Sequence, residues 1–280
     1  MHIQFAGFNG VRIMIIEWEG TFGYGDASRA INHAMFRKHI MMEPIEGISF
    51  VWWADRVYGN PHIKYHPDDP ESIMERVEFI CNYFDTAHEF EITHQYKPPW
   101  KGRLHHRPRE SPAYECAWWA TQNPFIKSSP PKYKKIVIWT PANNVDDLDS
   151  DYKTSHKDPL SLDDWDNLYS VINILYEPIY EVVYVSYRDP IGVLFDHINT
   201  ADICIGYEGI GNLIARAMWK PMIVFTEDND LSALTSGPWA TLLKSPTDIL
   251  MDIENEIETQ YNEIVKQERI FCGLKEQLSK

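Results

Sequence analysis

The sequence predicts an α/β fold in two domains, and three observations carry that prediction. Short apolar runs bounded by turn residues recur along all 280 residues. Stretches with helical spacing stand between them, which is the alternation of parallel sheets flanked by helices. A proline-bearing break near the middle separates two such series, and the length suits two domains of about 130 residues each.

In chain order, the first strands are Ile3–Ala6 and Arg12–Glu17, followed by a helix over Asp26–Lys38. A strand over Ile48–Trp53 and a helix over Glu71–Phe84 come next. Tyr96–Arg109 is set apart as a loop, because Pro98, Pro99 and Pro108 exclude regular structure. The break falls near Pro124–Lys134: in Ser128-Ser129-Pro130-Pro131-Lys132 two prolines fix φ and remove donors. A fresh series follows, with strands Lys135–Thr140, Val182–Ser186, Asp202–Gly206 and Met222–Thr226. Helices Ser161–Leu175, Ile191–Asn199 and Gly211–Met218 alternate with them, and Thr247–Leu278 reads as one or two charged amphipathic helices. The expected division is 1–130, 131–248 and a helical segment 249–280.

Composition narrows the function classes. The net charge of -15 disfavours a polyanion partner on average. The loop Tyr96–Arg109 runs against that average, carrying Lys97, Lys101, Arg103, Arg107 and Arg109 with aromatic residues and histidines between and beside them. Such a loop either tracks phosphates and stacks bases or pairs with the surplus carboxylates. No stretch approaches the ~20 apolar residues of a membrane span, and Met1–Phe8 lacks the pattern of a secretory leader. The four cysteines are far apart, without C-x-x-C spacing, so reduced thiols in a cytoplasmic protein are expected. Asp149-Ser150-Asp151 and Asp228-Asn229-Asp230 read as solvated acidic loops, and no metal site is expected.

Two glycine-rich loops can carry chemistry. In Gly20-Thr21-Phe22-Gly23-Tyr24-Gly25-Asp26-Ala27-Ser28-Arg29-Ala30 a strand feeds a helix, and glycines let the backbone approach a ligand. Asp26 stands at the expected N-cap, where a carboxylate serves either as a cap or as a reacting group. In Asp202–Pro221 an apolar strand runs into Glu208-Gly209-Ile210-Gly211-Asn212, then a short helix and Lys220-Pro221. That helix start is a natural diphosphate cradle, and Glu208 can accept hydrogen bonds from a ribose. The alternative is a βα turn with glycines needed for chain reversal alone. Neither loop is a P-loop or a dinucleotide fingerprint, so a dehydrogenase is disfavoured.

These segments resemble the heptosyltransferase-like family of B-type glycosyltransferases. The resemblance rests on Gly25-Asp26-Ala27-Ser28-Arg29-Ala30, on Glu208-Gly209 with Ala215-Arg216-Ala217, and on Trp219-Lys220-Pro221. His156-Lys157-Asp158-Pro159, entering a helix, is similar to the family's Lys-x-Trp-Pro segment. The chain has Trp219, Glu208 and Leu213 where the family has Gly, Asp and His.

The resemblance implies two Rossmann-like domains facing a cleft, with the C-terminal helix crossing back onto the first. It implies a glycosyltransferase that moves a sugar from a nucleoside-diphosphate sugar to an acceptor hydroxyl, with that donor as co-substrate and no other cofactor or metal. Asp26 is then the base, and Lys157 neutralises the leaving diphosphate. Glu208, Gly209, Gly211, Asn212, Thr140, Asn143 and Arg188 surround the donor. Gly23, Gly25, Lys101 and Arg103 face the acceptor, a saccharide or a hydroxymethylated base in DNA. Two other functions use the same architecture: a nucleotide-sugar epimerase or hydrolase, and a non-catalytic nucleotide or saccharide binder.

Overall fold

The computed structural model describes residues 2–8, 11–19, 24–39, 42–53, 70–83, 86–97, 134–140, 159–186, 189–227, 237–246 and 252–278. The chain divides into two compact units, Met1–Trp118 with Gly273–Lys280, and Trp119–Cys272.

The first unit holds β1 (His2–Phe8), β2 (Val11–Glu19), α1 (Tyr24–His39), β3 (Ile45–Trp53), α2 (Pro70–Tyr83) and β4 (Glu91–Lys97). They form one sheet in the order β1-β2-β3-β4. β2, β3 and β4 run parallel, joined through α1 and α2, and the two helices pack on each other. Ala27, Ala30, Ile31 and Ala34 lie on one stripe of α1 and are fully buried. The three alanines bring the helix close to a core with Met14, Ile16, Ile48 and Phe50 from the strands and Val77 and Ile80 from α2.

Two features depart from the sequence expectation. β1 runs antiparallel to β2, from His2 opposite Glu17 to Phe8 opposite Val11. Only Asn9-Gly10 separates these strands, and a parallel pair needs a crossover of a dozen residues or more. The sheet is therefore mixed, not wholly parallel. β4 was not expected, and its last residues, Tyr96 and Lys97, were assigned to the basic loop. Its exposed residues Glu91, Thr93, His94 and Gln95 show why: a solvated edge strand has no apolar run to betray it. The rest of that loop lies outside the described residues.

The second unit is a doubly wound α/β layer. Its strands are β5 (Lys135–Thr140), β6 (Glu181–Ser186), β7 (Ile203–Tyr207), β8 (Met222–Phe225) and β9 (Thr241–Leu243). All pairs are parallel and the order is β6-β5-β7-β8-β9. The helices are α3 (Leu162–Leu175), α4 (Ile191–Asn199), α5 (Ile210–Ala217) and the part of α6 (Ile253–Leu278) up to Cys272. Strand alternation divides the core. Ile136, Ile138, Ile203, Ile205, Ile223 and Phe225 meet Trp165, Leu168, Tyr169 and Ile172 of α3 and Ile253 of α6. The other face carries α4 and α5, which pack on each other and on the neighbouring strands.

Helix ends in this unit are set by local chemistry. Ser161 caps α3 in a reciprocal capping box: its Oγ accepts from Asp164 N at 3.2 Å, and Asp164 Oδ2 accepts from Ser161 N at 3.0 Å. The C-terminus of α5 is a Schellman turn, in which Lys220 N donates to Ala215 O and Trp219 N to Arg216 O. Its left-handed residue is Trp219, with φ 53°. Glycine is the usual occupant of that position, as it is in the resembled family.

Candidate functional site

Open parallel sheets bind ligands beyond the carboxyl ends of their strands, where the chain reverses its direction of growth across the sheet. In the second unit that point is fixed by topology. From β5 the chain steps to β6 on one side, then returns past β5 to β7 on the other. The switch point therefore lies between β5 and β7.

The structure gathers five residues anticipated from sequence at the carboxyl ends of these two strands. Thr140 closes β5, and its Oγ1 hydrogen-bonds the Tyr169 hydroxyl of α3. Glu208 and Gly209 follow β7 directly, and Gly211 and Asn212 lie in the first turn of α5. Glu208 is only 6% exposed, so a carboxylate is held largely out of solvent at this edge. Asn212 is fully buried, and its Oδ1 accepts from Gly209 N at 2.7 Å. This bond caps the helix from within, as an N3 side chain reaching back to the N-cap does.

Aromatic residues pack at these strand ends. Trp165 packs edge-on against Tyr207 and Phe225, with ring centroids 6.2 and 6.4 Å apart. On the opposite face of β5, Trp139 lies against the glycine turn. A Cβ at Gly206 or Gly211 would fall 2.3 or 2.4 Å from its indole, and its Nε1 donates to Tyr207 O at 2.7 Å. Trp139 carried no signal in the sequence: nothing in Lys135-Ile136-Val137-Ile138-Trp139-Thr140 shows which neighbours its indole meets. Gly206 and Gly211 are those neighbours.

Lys220 lies at the other end of the sheet. It is buried, and its Nζ donates to Asn199 O at 2.8 Å and Ala201 O at 3.2 Å. It thereby caps the carbonyl end of α4 with a cation. Burial lowers its pKa, against the opposing pull of Cys204 and Asp202, while burial pushes the Cys204 thiol up to about 12. In the Trp-Lys-Pro segment the lysine thus serves helix α4.

In the first unit, α1 starts at Tyr24, which makes Asp26 its third residue and corrects the expectation of an N-cap. A carboxylate in the first turn is still favoured by the helix dipole. Gly25 is the second residue of that helix. The Asp26 side chain lies outside the described residues, as do Gly23, Lys101, Arg103, Asn143, Lys157 and Arg188 entirely. Among the described residues, no group of three His, Cys, Asp or Glu is arranged to hold a metal ion. None of the described helices is long and apolar enough to cross a membrane.

The sequence matches no family model and no curated protein. Among solved structures it is similar to the crystal structure of the glycosyl transferase family 9 from Veillonella parvula DSM 2008. The likeness covers 91% of this chain and 97% of that chain, at 9% identity and a TM-score of 0.39. So distant a likeness assigns neither fold nor activity.

Proposed function

We propose that this protein is a glycosyltransferase that binds a nucleoside-diphosphate sugar at the β5/β7 switch point. One observation carries the reading: a buried carboxylate, Glu208, followed by the start of α5, stands at the carboxyl edge of an all-parallel sheet where its winding reverses. The segments that resemble the heptosyltransferase-like family supply the reaction class.

In this reading Glu208 accepts hydrogen bonds from ribose hydroxyls. The amino end of α5, at Gly209–Asn212, faces the diphosphate with its positive dipole. Thr140 and Asn143 frame the nucleotide, and Lys157 and Arg188 neutralise the charge that builds on the leaving diphosphate. Asp26 takes the proton of the acceptor hydroxyl as that oxygen attacks the anomeric carbon and the bond to the diphosphate breaks. The first unit, with Gly23, Gly25, Lys101 and Arg103, receives the acceptor, a saccharide or a hydroxymethylated DNA base. The two units act as donor and acceptor domains of a B-type transferase, and no metal is needed.

The test is a thermal-shift screen against UDP, GDP, ADP and CMP, with divalent metal and with chelator. At a hundredfold excess over Kd, binding to the native state stabilises by roughly 2.7 kcal/mol. One nucleoside diphosphate is expected to raise Tm, equally in chelator. Asp26→Ala is expected to retain that shift and lose turnover of the matching sugar donor. The absence of any shift would remove the donor site. A shift without turnover in the unmodified protein, across saccharide and hydroxymethylated-DNA acceptors, would leave a nucleotide binder.

A further inference from the structure

We infer that Trp139 is the positioning residue of the β7–α5 turn and through that turn sets nucleotide affinity; the affinity part rests on the donor-site reading above. The backbone register between β5 and β7 pairs Ile136 with Ile203, Val137 with Cys204 and Ile138 with Ile205, and stops there. Beyond it β5 continues in register with β6 through Thr140 and Ser186, while β7 continues with β8 through Tyr207 and Phe225. The two strands at the switch point therefore part company just below the candidate site. One side chain spans the gap. Trp139 Nε1 donates to Tyr207 O at 2.7 Å, adding a rung beyond the last backbone pair.

The indole meets Tyr207 O and two glycines. Gly206 and Gly211 both lie against its ring, closer than any Cβ would permit. Trp139 is 4% exposed, and its bond to Tyr207 O is part-buried. Gly209 differs: the nearest atom to a Cβ built there is Tyr207 Cε2, at 3.8 Å. Of these three glycines, two thus make room for Trp139 and one fronts more open space. The residues that follow the anchored carbonyl are Glu208 and Gly209. Fixing Tyr207 O fixes the peptide that leads into Glu208 and the first amides of α5. Trp139 acts on a nucleotide through the turn without touching it.

The experiment compares the unmodified protein with Trp139→Phe, which keeps an aromatic ring and deletes the donor. Trp139→Tyr, which also lacks the indole N–H, replaces it if the Phe variant does not fold. Amide hydrogen exchange is followed in peptides covering residues 205–213 and, as a reference, 191–199. Affinities for ADP, GDP and UDP are measured by calorimetry well below each protein's Tm. Loss of this hydrogen bond predicts roughly tenfold faster exchange in 205–213 and a Kd roughly tenfold weaker for whichever nucleotide binds. Exchange in 191–199 is expected to stay unchanged. An unchanged Kd, unchanged exchange in 205–213, or an equal rise in both peptides overturns the inference, the last because it marks general core loosening. If none of the three nucleotides binds the unmodified protein, the donor-site reading fails and the affinity part falls with it. The exchange comparison then still decides whether Trp139 holds the turn.

Discussion

Trp219 and Gly211 show how single positions around α5 are decided by what they touch. A left-handed backbone costs a bulky residue about 1–2 kcal/mol, and Trp219 adopts it with φ 53°. Its ring stacks on Trp239 at 5.3 Å and 11°, while Trp239 Nε1 donates to Lys220 O at 3.0 Å. Aromatic stacking beyond area burial offsets about 0.5–1.5 kcal/mol of that strain. At Gly211 the constraint is space. Gly211→Ala is expected to destabilise by about 1–3 kcal/mol, because a methyl group would enter the Trp139 ring. Gly209→Ala has extended backbone and room, and should stay within about 1 kcal/mol of the parent. Urea unfolding of the two variants checks the contrast, and equal losses would contradict the packing described.

At the scale of an element, α6 shows a helix completing a sheet. Ile253, Gln260, Tyr261 and Ile264 form its buried stripe. Gln260 is the polar member, and its amide matches a backbone pair. Oε1 accepts from Met222 N at 2.7 Å, and Nε2 donates to Met222 O at 3.0 Å. The register of β8 with β9 begins one residue later, at Ile223 opposite Thr241. The side chain therefore supplies the rung that β9 does not. Gln260→Ala would leave a buried N–H and C=O without this partner and is expected to cost about 2 kcal/mol. Thr259→Ala, at an exposed neighbouring position, should change stability by less than about 0.5 kcal/mol. Chemical denaturation measures both.

For the molecule as a whole, stability against pH carries a signature of the lower edge of the second sheet. His197 Nδ1 lies 3.0 Å from Lys135 Nζ, and Lys135 also pairs with Glu181 at 3.4 Å. Burial, with Lys135 beside it, lowers the His197 pKa from 6.5, while Glu181, Asp196 and Asp189 pull the other way. A base whose folded pKa lies below its unfolded value contributes nothing above that unfolded value. As pH falls below about 6.5 the unfolded chain takes up a proton that the native chain resists, so stability declines toward the folded pKa. His197→Gln is expected to flatten this acid slope between pH 7 and 5 and leave the behaviour above pH 7 unchanged. A parallel pair of stability curves for variant and parent would refute the assignment.

The sequence by itself determined the α/β class and most of the element order, because strand and helix periods of apolar residues are local properties. It also singled out Glu208-Gly209, since a buried strand running into glycines and a helix announces a βα turn. Tertiary structure alone decided the rest. Gly211 read as part of a diphosphate cradle or as needed for chain reversal, yet in space it is clearance for Trp139, as Gly206 is. Lys220 read as part of a motif beside the site, yet it caps α4 at the opposite end of the sheet. Each of these depends on which residues distant in the chain become neighbours, and spacing along one segment carries no record of the side chain that arrives from another.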